Sequence, residues 1–167
     1  MSNNIREGYR MKLLKLWSAL VLFAAAISPL GAEFVSVGLN FYTSGDGDLT
    51  RIGKLPAGVT VMAKKKFDNP KLQGFCRYIV IDLDKCTSID LKFAVAGKGQ
   101  IFPSVSAWKG RIGGSSPAKV KCVKFEFNDE VCSKKPFVFS RYKRMAPNNG
   151  FEDGDVIAVK AEFAKAE

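Results

Sequence analysis

Phe34-Val35-Ser36-Val37-Gly38-Leu39-Asn40-Phe41-Tyr42 sets Val35, Val37, Leu39 and Phe41 on one side of an extended chain and Ser36, Gly38 and Asn40 on the other. Successive side chains of a strand point to opposite faces, so this period of two predicts a strand with one face in a core and one toward water. The same pattern returns downstream. Ile79, Ile81 and Leu83 alternate with Val80, Asp82 and Asp84; Ile89, Leu91, Phe93 and Val95 alternate with Asp90, Lys92 and Ala94. Val123, Phe125 and Phe127 alternate with Lys124, Glu126 and Asn128, and Ile157, Val159, Ala161 and Phe163 with Ala158, Lys160 and Glu162.

Weaker runs at Gly58–Lys64, Ile101–Trp108 and Pro136–Tyr142 bring the expectation to about eight strands. Turn chemistry separates them: Gly45-Asp46-Gly47-Asp48, Pro56-Ala57-Gly58, Asp68-Asn69-Pro70, Gly97-Lys98-Gly99, Asn149-Gly150 and Asp153-Gly154. No segment after residue 32 sustains a helical period. The expected fold is all-β, an antiparallel β-sandwich of jelly-roll-like type, in one domain over residues 33–167.

Ahead of the first strand the composition changes. Arg6, Arg10, Lys12 and Lys15 precede an apolar run from Leu16 to Ile27, and Ser28-Pro29-Leu30-Gly31-Ala32 breaks it on a small residue. That order of basic, apolar and small residues predicts a signal peptide over residues 1–32, cleaved after Ala32. A membrane-spanning helix needs about 20 apolar residues, more than this run supplies, so membrane contact is expected only through this segment if it stays uncleaved. The expected location is secreted or periplasmic.

The chain has 167 residues with 26 Lys+Arg, 16 Asp+Glu and no histidine. Residues 1–32 hold four of those bases and one of the acids (Glu7), leaving the remainder at +7. A basic excess favours acidic partners. For an exported protein these are a glycan or an acidic protein surface rather than nucleic acid. Without histidine, Ser-His-Asp and Cys-His catalysis and the commonest neutral-pH base are excluded. No glycine-rich phosphate loop joins a strand to a helix, so no nucleotide and no cofactor are expected. Asp82, Asp84, Asp90, Glu126, Asp129 and Glu130 could supply a carboxylate pair, but strand parity makes them a solvated face, and no enzyme is expected. Asp46, Asp48, Asp153 and Asp155 are the candidate calcium oxygens; Asp-Gly is also ordinary turn content, so no metal is predicted.

All four cysteines, Cys76, Cys86, Cys122 and Cys132, follow residue 32, which predicts two disulfides in an exported chain. Each pair is ten residues apart. Ten residues of strand span about 30 Å, too far for a Cys76–Cys86 bond. Equal spacing suggests segments side by side, favouring Cys76–Cys132 with Cys86–Cys122 over Cys76–Cys122 with Cys86–Cys132.

Among aromatics with a polar tip, Tyr42 and Tyr78 fall on outward parity, and Trp108 ends a strand beside Lys109 and Arg111. A flat ring beside polar groups can stack on a sugar or anchor a protein contact. These five residues are the candidate ligand site, and Trp108 as a cap on the core edge is the competing role. Basic clusters occur at Lys64-Lys65-Lys66, Lys119/Lys121/Lys124, Lys134-Lys135 and Arg141/Lys143/Arg144. The expectation is a non-catalytic binding module, carbohydrate-binding in the first instance. The alternative is a structural or protein-interaction role in the envelope or extracellular space, through the basic stretch Lys119–Arg144.

Overall fold

The computed structural model describes residues 31–110, 116–133, 137–138, 143–144 and 150–165, and the β unit is Gly31–Glu167. Its strands are β1 (Glu33–Thr43), β2 (Asp48–Ile52), β3 (Val59–Val61), β4 (Lys65–Lys66), β5 (Gly74–Asp82), β6 (Ser88–Ala96), β7 (Gly99–Lys109), β8 (Ser116–Pro117), β9 (Val120–Phe127), β10 (Glu130–Ser133), β11 (Phe137–Val138), β12 (Lys143–Arg144), β13 (Gly150–Phe151) and β14 (Val156–Lys165). No helix occurs among the described residues, and every pairing is antiparallel. One sheet runs β12-β7-β1-β5-β3, with β8 and β13 also on β7 and β4 on β5; the other runs β10-β9-β14-β6-β2, with β11 on β9. The predicted signal segment lies outside the described residues, apart from Gly31 and Ala32.

Two strands organise the core. β1 lies between β5 and β7, so Val37 meets Ile79 on one side and Val105 on the other. β14 lies between β6 and β9, where Val159 meets Leu91 and Phe127. The inward residues of both sheets join one apolar cluster in which Phe41, Phe93, Phe125 and Phe127 are fully buried. Burying each such ring stabilises by about 1.5–3 kcal/mol, which explains why the alternating runs fold as they do.

The predicted alternation fails in two places. In β9 the buried positions are Val120, Cys122, Phe125 and Phe127, while Val123 is 42% exposed. A β-bulge, seen as a register shift against Glu162 and Phe163 of β14, inserts a residue and reverses the parity upstream of it. On the first sheet, the face expected to meet water carries a second apolar cluster of Ala32, Phe34 and Val80, with Trp108 packed on it. Val80 is therefore buried rather than outward. Asp82 and Asp90 also part company, because β5 and β6 belong to different sheets.

The four cysteines are all free thiols, contrary to the predicted disulfides. The assumption of two adjacent cysteine segments is what fails. Cys76 lies in β5 of the first sheet, whereas Cys122 and Cys132 lie in β9 and β10 of the second. Cys122 and Thr87 flank Phe163 from opposite sides. Cys86, next to Thr87, is thus separated from Cys122 by the width of β14, about 10 Å, against a limit near 7 Å for a disulfide.

Candidate functional site

Tyr42, Tyr78 and Trp108 share the outward face of the first sheet but do not converge. Trp108 pairs with Phe34 across β7 and β1, and its ring stacks on Phe34 at 5.7 Å and 20°. Tyr42 stands eight residues further along β1, about 26 Å away. Tyr78 lies between them, opposite Gly38, where a Cβ would come within 3.3 Å of its ring. The Tyr78 ring covers a glycine, and Trp108 covers an apolar cluster. Lys109 is exposed and in register with Glu33; Arg111 lies outside the described residues.

Tyr42 lines a hollow at the far end of the sheet. Its ring meets Phe67 at 4.8 Å and Phe102 edge-on at 5.6 Å. Beside this pair, the turn after β1 faces the loop between β4 and β5. A cleft of about 370 Å³ opens there, lined in part by Ser44, Asp46, Lys64, Lys66, Phe67 and Gln73. A shallower hollow of about 530 Å³ adds Tyr42, Lys71 and Lys98 and shares Thr43, Ser44, Leu72 and Gln73 with the cleft. Together they form one groove across the end of the sheet.

Local chemistry fixes both walls. Asn69 makes an Asx turn: its Oδ1 accepts from Lys71 N–H at 3.0 Å, and its carbonyl accepts from Leu72 N–H at 3.0 Å. Gly74 has φ +133°, and a Cβ there would lie 2.0 Å from the Phe41 carbonyl oxygen, so only glycine lets β5 start against β1. Thr43 Oγ1 donates to Lys98 O at 3.0 Å and accepts from Gly45 N–H at 3.3 Å.

The groove is cationic, but its lysines differ in how far they are committed. Lys64 lies 3.8 Å from Asp48, donates to Gly47 O at 3.2 Å and sits 5.2 Å above the Phe75 ring. Lys98 pairs with Glu152 at 2.8 Å, and that hydrogen bond raises its pKa. Lys66 and Lys71 are exposed and have no ion-pair partner among the described residues. Beneath the groove, Arg77 of β5 donates to Asp48 of β2 at 2.7 Å and joins the two sheets. Burial works to raise the Asp48 carboxyl, but hydrogen bonds from Arg77 and Leu49 N–H, with the charges of Arg77 and Lys64, hold it below its ordinary 3.8.

The other sequence candidates fall to structural duties. Asp48 is taken by Arg77; Asp153 accepts from Gly97 N–H at 2.8 Å and Asp155 from Glu152 N–H at 2.8 Å. Among the described residues, no group of three or more carboxylates and thiols could hold a metal ion. Asp82 pairs with Lys85, Asp84 with Lys165, Asp129 with Lys160 and Glu126 with Lys124. Of the stretch Lys119–Arg144, Lys134, Lys135 and Arg141 lie outside the described residues. The sequence missed Phe67, Lys71 and Gln73. Its one usable signal was the Lys64-Lys65-Lys66 run flowing straight into Phe67.

These features define a class: a two-sheet antiparallel β domain with a cationic, aromatic-walled groove at one end of a sheet. Compared with protein-family models, curated proteins and solved structures, the chain matches none of them.

Proposed function

We propose that this is an exported, non-catalytic binding module whose ligand, a carbohydrate, lies in the groove between the turn after β1 and the β4–β5 loop. The observation that carries it is the Tyr42–Phe67 ring pair, 4.8 Å apart: Phe67 lines the cleft with Ser44, Asn69 and Gln73, and Tyr42 lines the adjoining hollow, which shares Ser44 and Gln73 with it. Flat apolar rings with a few convergent hydrogen-bonding groups are the chemistry that holds a sugar. Asp46 is the one carboxylate among the lining residues, and carboxylate-based glycoside hydrolysis needs a pair, which supports binding without turnover. We take the two sheets as the layers of a sandwich because their inward residues share one cluster; a jelly-roll connectivity belongs to the same reading. Export rests on the residue order before Glu33, and N-terminal sequencing of protein recovered outside the cytoplasm should begin at Glu33.

The binding test is a glycan array on the purified protein. Expected is a signal abolished by Tyr42→Ala and kept by Trp108→Ala, with melting curves showing that each variant is folded. A signal lost with Trp108→Ala and kept with Tyr42→Ala would move the site to the other end of the sheet. Silence across the array would reject the carbohydrate assignment and leave an acidic protein partner in its place.

A further inference from the structure

We propose that the ligand of this groove is an acidic polysaccharide, its sulfate or carboxylate groups met by Lys66 and Lys71 while a sugar ring lies against Tyr42 and Phe67. The inference rests on the carbohydrate reading above and narrows it to a charge class.

Charge bookkeeping along the walls leads to it. Lys64 shares Asp48 with Arg77, and Lys98 is answered by Glu152. That leaves Lys66 on the deeper cleft and Lys71 on the shallower hollow, with the exposed Asp46 the one acid among the residues lining either. Covering an unpaired ammonium with a neutral ligand removes it from water without return. Placing an anionic oxygen there forms a charge-assisted hydrogen bond instead. Because the two lysines belong to the two halves of one groove, a chain with repeated acid groups can reach both, whereas a single small anion reaches one.

Two other anionic partners fit less well. A membrane surface is gripped by apolar side chains projecting into the lipid. Here Phe67 is turned inward against Tyr42, and Leu72, 43% exposed, is the large apolar side chain of the tip left outside. An acidic peptide would pair with the lysines but has no use for an aromatic wall beside Ser44 and Gln73.

The test is calorimetric titration of the full-length protein with matched polymers: chondroitin sulfate and its desulfated form, pectate and methyl-esterified pectin, poly-glutamate, and vesicles of phosphatidylserine in phosphatidylcholine. Expected is binding to the acidic member of a pair at least tenfold tighter than to its neutral mate. Lys66→Gln and Lys71→Gln should each weaken it about tenfold, the worth of one charge-assisted contact, with melting temperatures unmoved because both side chains are exposed. Equal affinity for acidic and neutral mates, abolished by Tyr42→Ala, would overturn the charge class and leave the carbohydrate site standing. Poly-glutamate or vesicles binding as tightly as any polysaccharide would overturn both, as would no binding to any polymer.

Discussion

Asp48 is the residue on which the groove end depends most. Its carboxylate ties β2 of one sheet to Arg77 of β5 in the other and also faces Lys64. Arg77 is 19% exposed and its Nε already lacks a partner, so removing the acid's charge leaves a largely buried guanidinium with the Met62 carbonyl, 3.5 Å from Nη1, in place of an ion pair. Asp48 itself is 39% exposed, and water screens part of the interaction. Asp48→Asn should therefore cost about 1–2 kcal/mol at neutral pH, read from chemical denaturation. The pH dependence follows from the sign of its shift. The folded carboxyl titrates below 3.8, so its contribution is complete above that value and vanishes as pH falls through the folded pKa. The stability gap between wild type and Asp48→Asn should begin to close only as pH falls below 3.8 and shrink as the folded carboxyl takes up its proton; a gap that stays constant along the whole acid limb would show that the pair's charge is not what stabilises. At Gly38 the constraint is steric. A Cβ there would lie 2.7 Å from Ser104 Oγ and 3.2 Å from Cys76 Sγ. Gly38→Ala should destabilise by about 1–2 kcal/mol. Adding Ser104→Ala should restore part of it, since these neighbours are coupled; purely additive losses would refute the clash.

β9 is the element on which sequence and structure diverge most usefully. Strict alternation groups Val123 with Phe125, but the bulge turns Val123 out and Cys122 in. Val123→Ala should change stability by no more than about 0.5 kcal/mol, whereas Phe125→Ala should cost about 3–5 kcal/mol. Comparable losses at both positions would mean that the bulge is absent in solution. Strands β1, β6 and β14 were legible from sequence because their own side chains alternate without a break, with apolar rows at Val35, Val37, Leu39 and Phe41, at Ile89, Leu91, Phe93 and Val95, and at Ile157, Val159, Ala161 and Phe163. A bulge leaves no such mark, since its extra residue is chosen by the neighbouring strand and not by its own segment. The groove was half legible. Tyr42 could be picked by parity, and the lysine run was visible, but edge protection explained those lysines equally well. What joins them is long-range: the β4–β5 loop folds back until Phe67 reaches Tyr42, 25 residues away in sequence. The surroundings of Tyr78 and Trp108 are long-range in the same way: Tyr78 falls on outward parity and Trp108 ends its strand, but that face buries Phe34 and Val80 beside Trp108 and seats Gly38 beneath Tyr78.

Across the whole molecule, stability comes from the shared core of two sheets rather than from covalent staples. The four thiols occupy separate environments. Cys76 is buried in β5, where desolvation, partly offset by Tyr78, lifts its pKa to about 11. Cys122 is fully buried in β9. Burial likewise raises Cys132, and Cys86 donates to the Ser88 carbonyl at 2.9 Å. Thiolate is the reactive form, so burial suppresses oxidation chemically while the sheets keep the sulfurs apart geometrically. The domain should therefore keep free thiols even in an oxidising compartment. Alkylation in denaturant without prior reduction should label all four cysteines, counted by mass, and native alkylation should spare Cys76 and Cys122. A disulfide closing a long loop would contribute about 3–4 kcal/mol, which reduction would reveal as a fall in melting temperature of roughly 10 °C. The expected shift on adding dithiothreitol is none. If two cysteines resist alkylation until reduced, and the melt drops with reduction, then the sheets must approach each other differently around β14, and the 10 Å separation of Cys86 from Cys122 would be the first feature to give way.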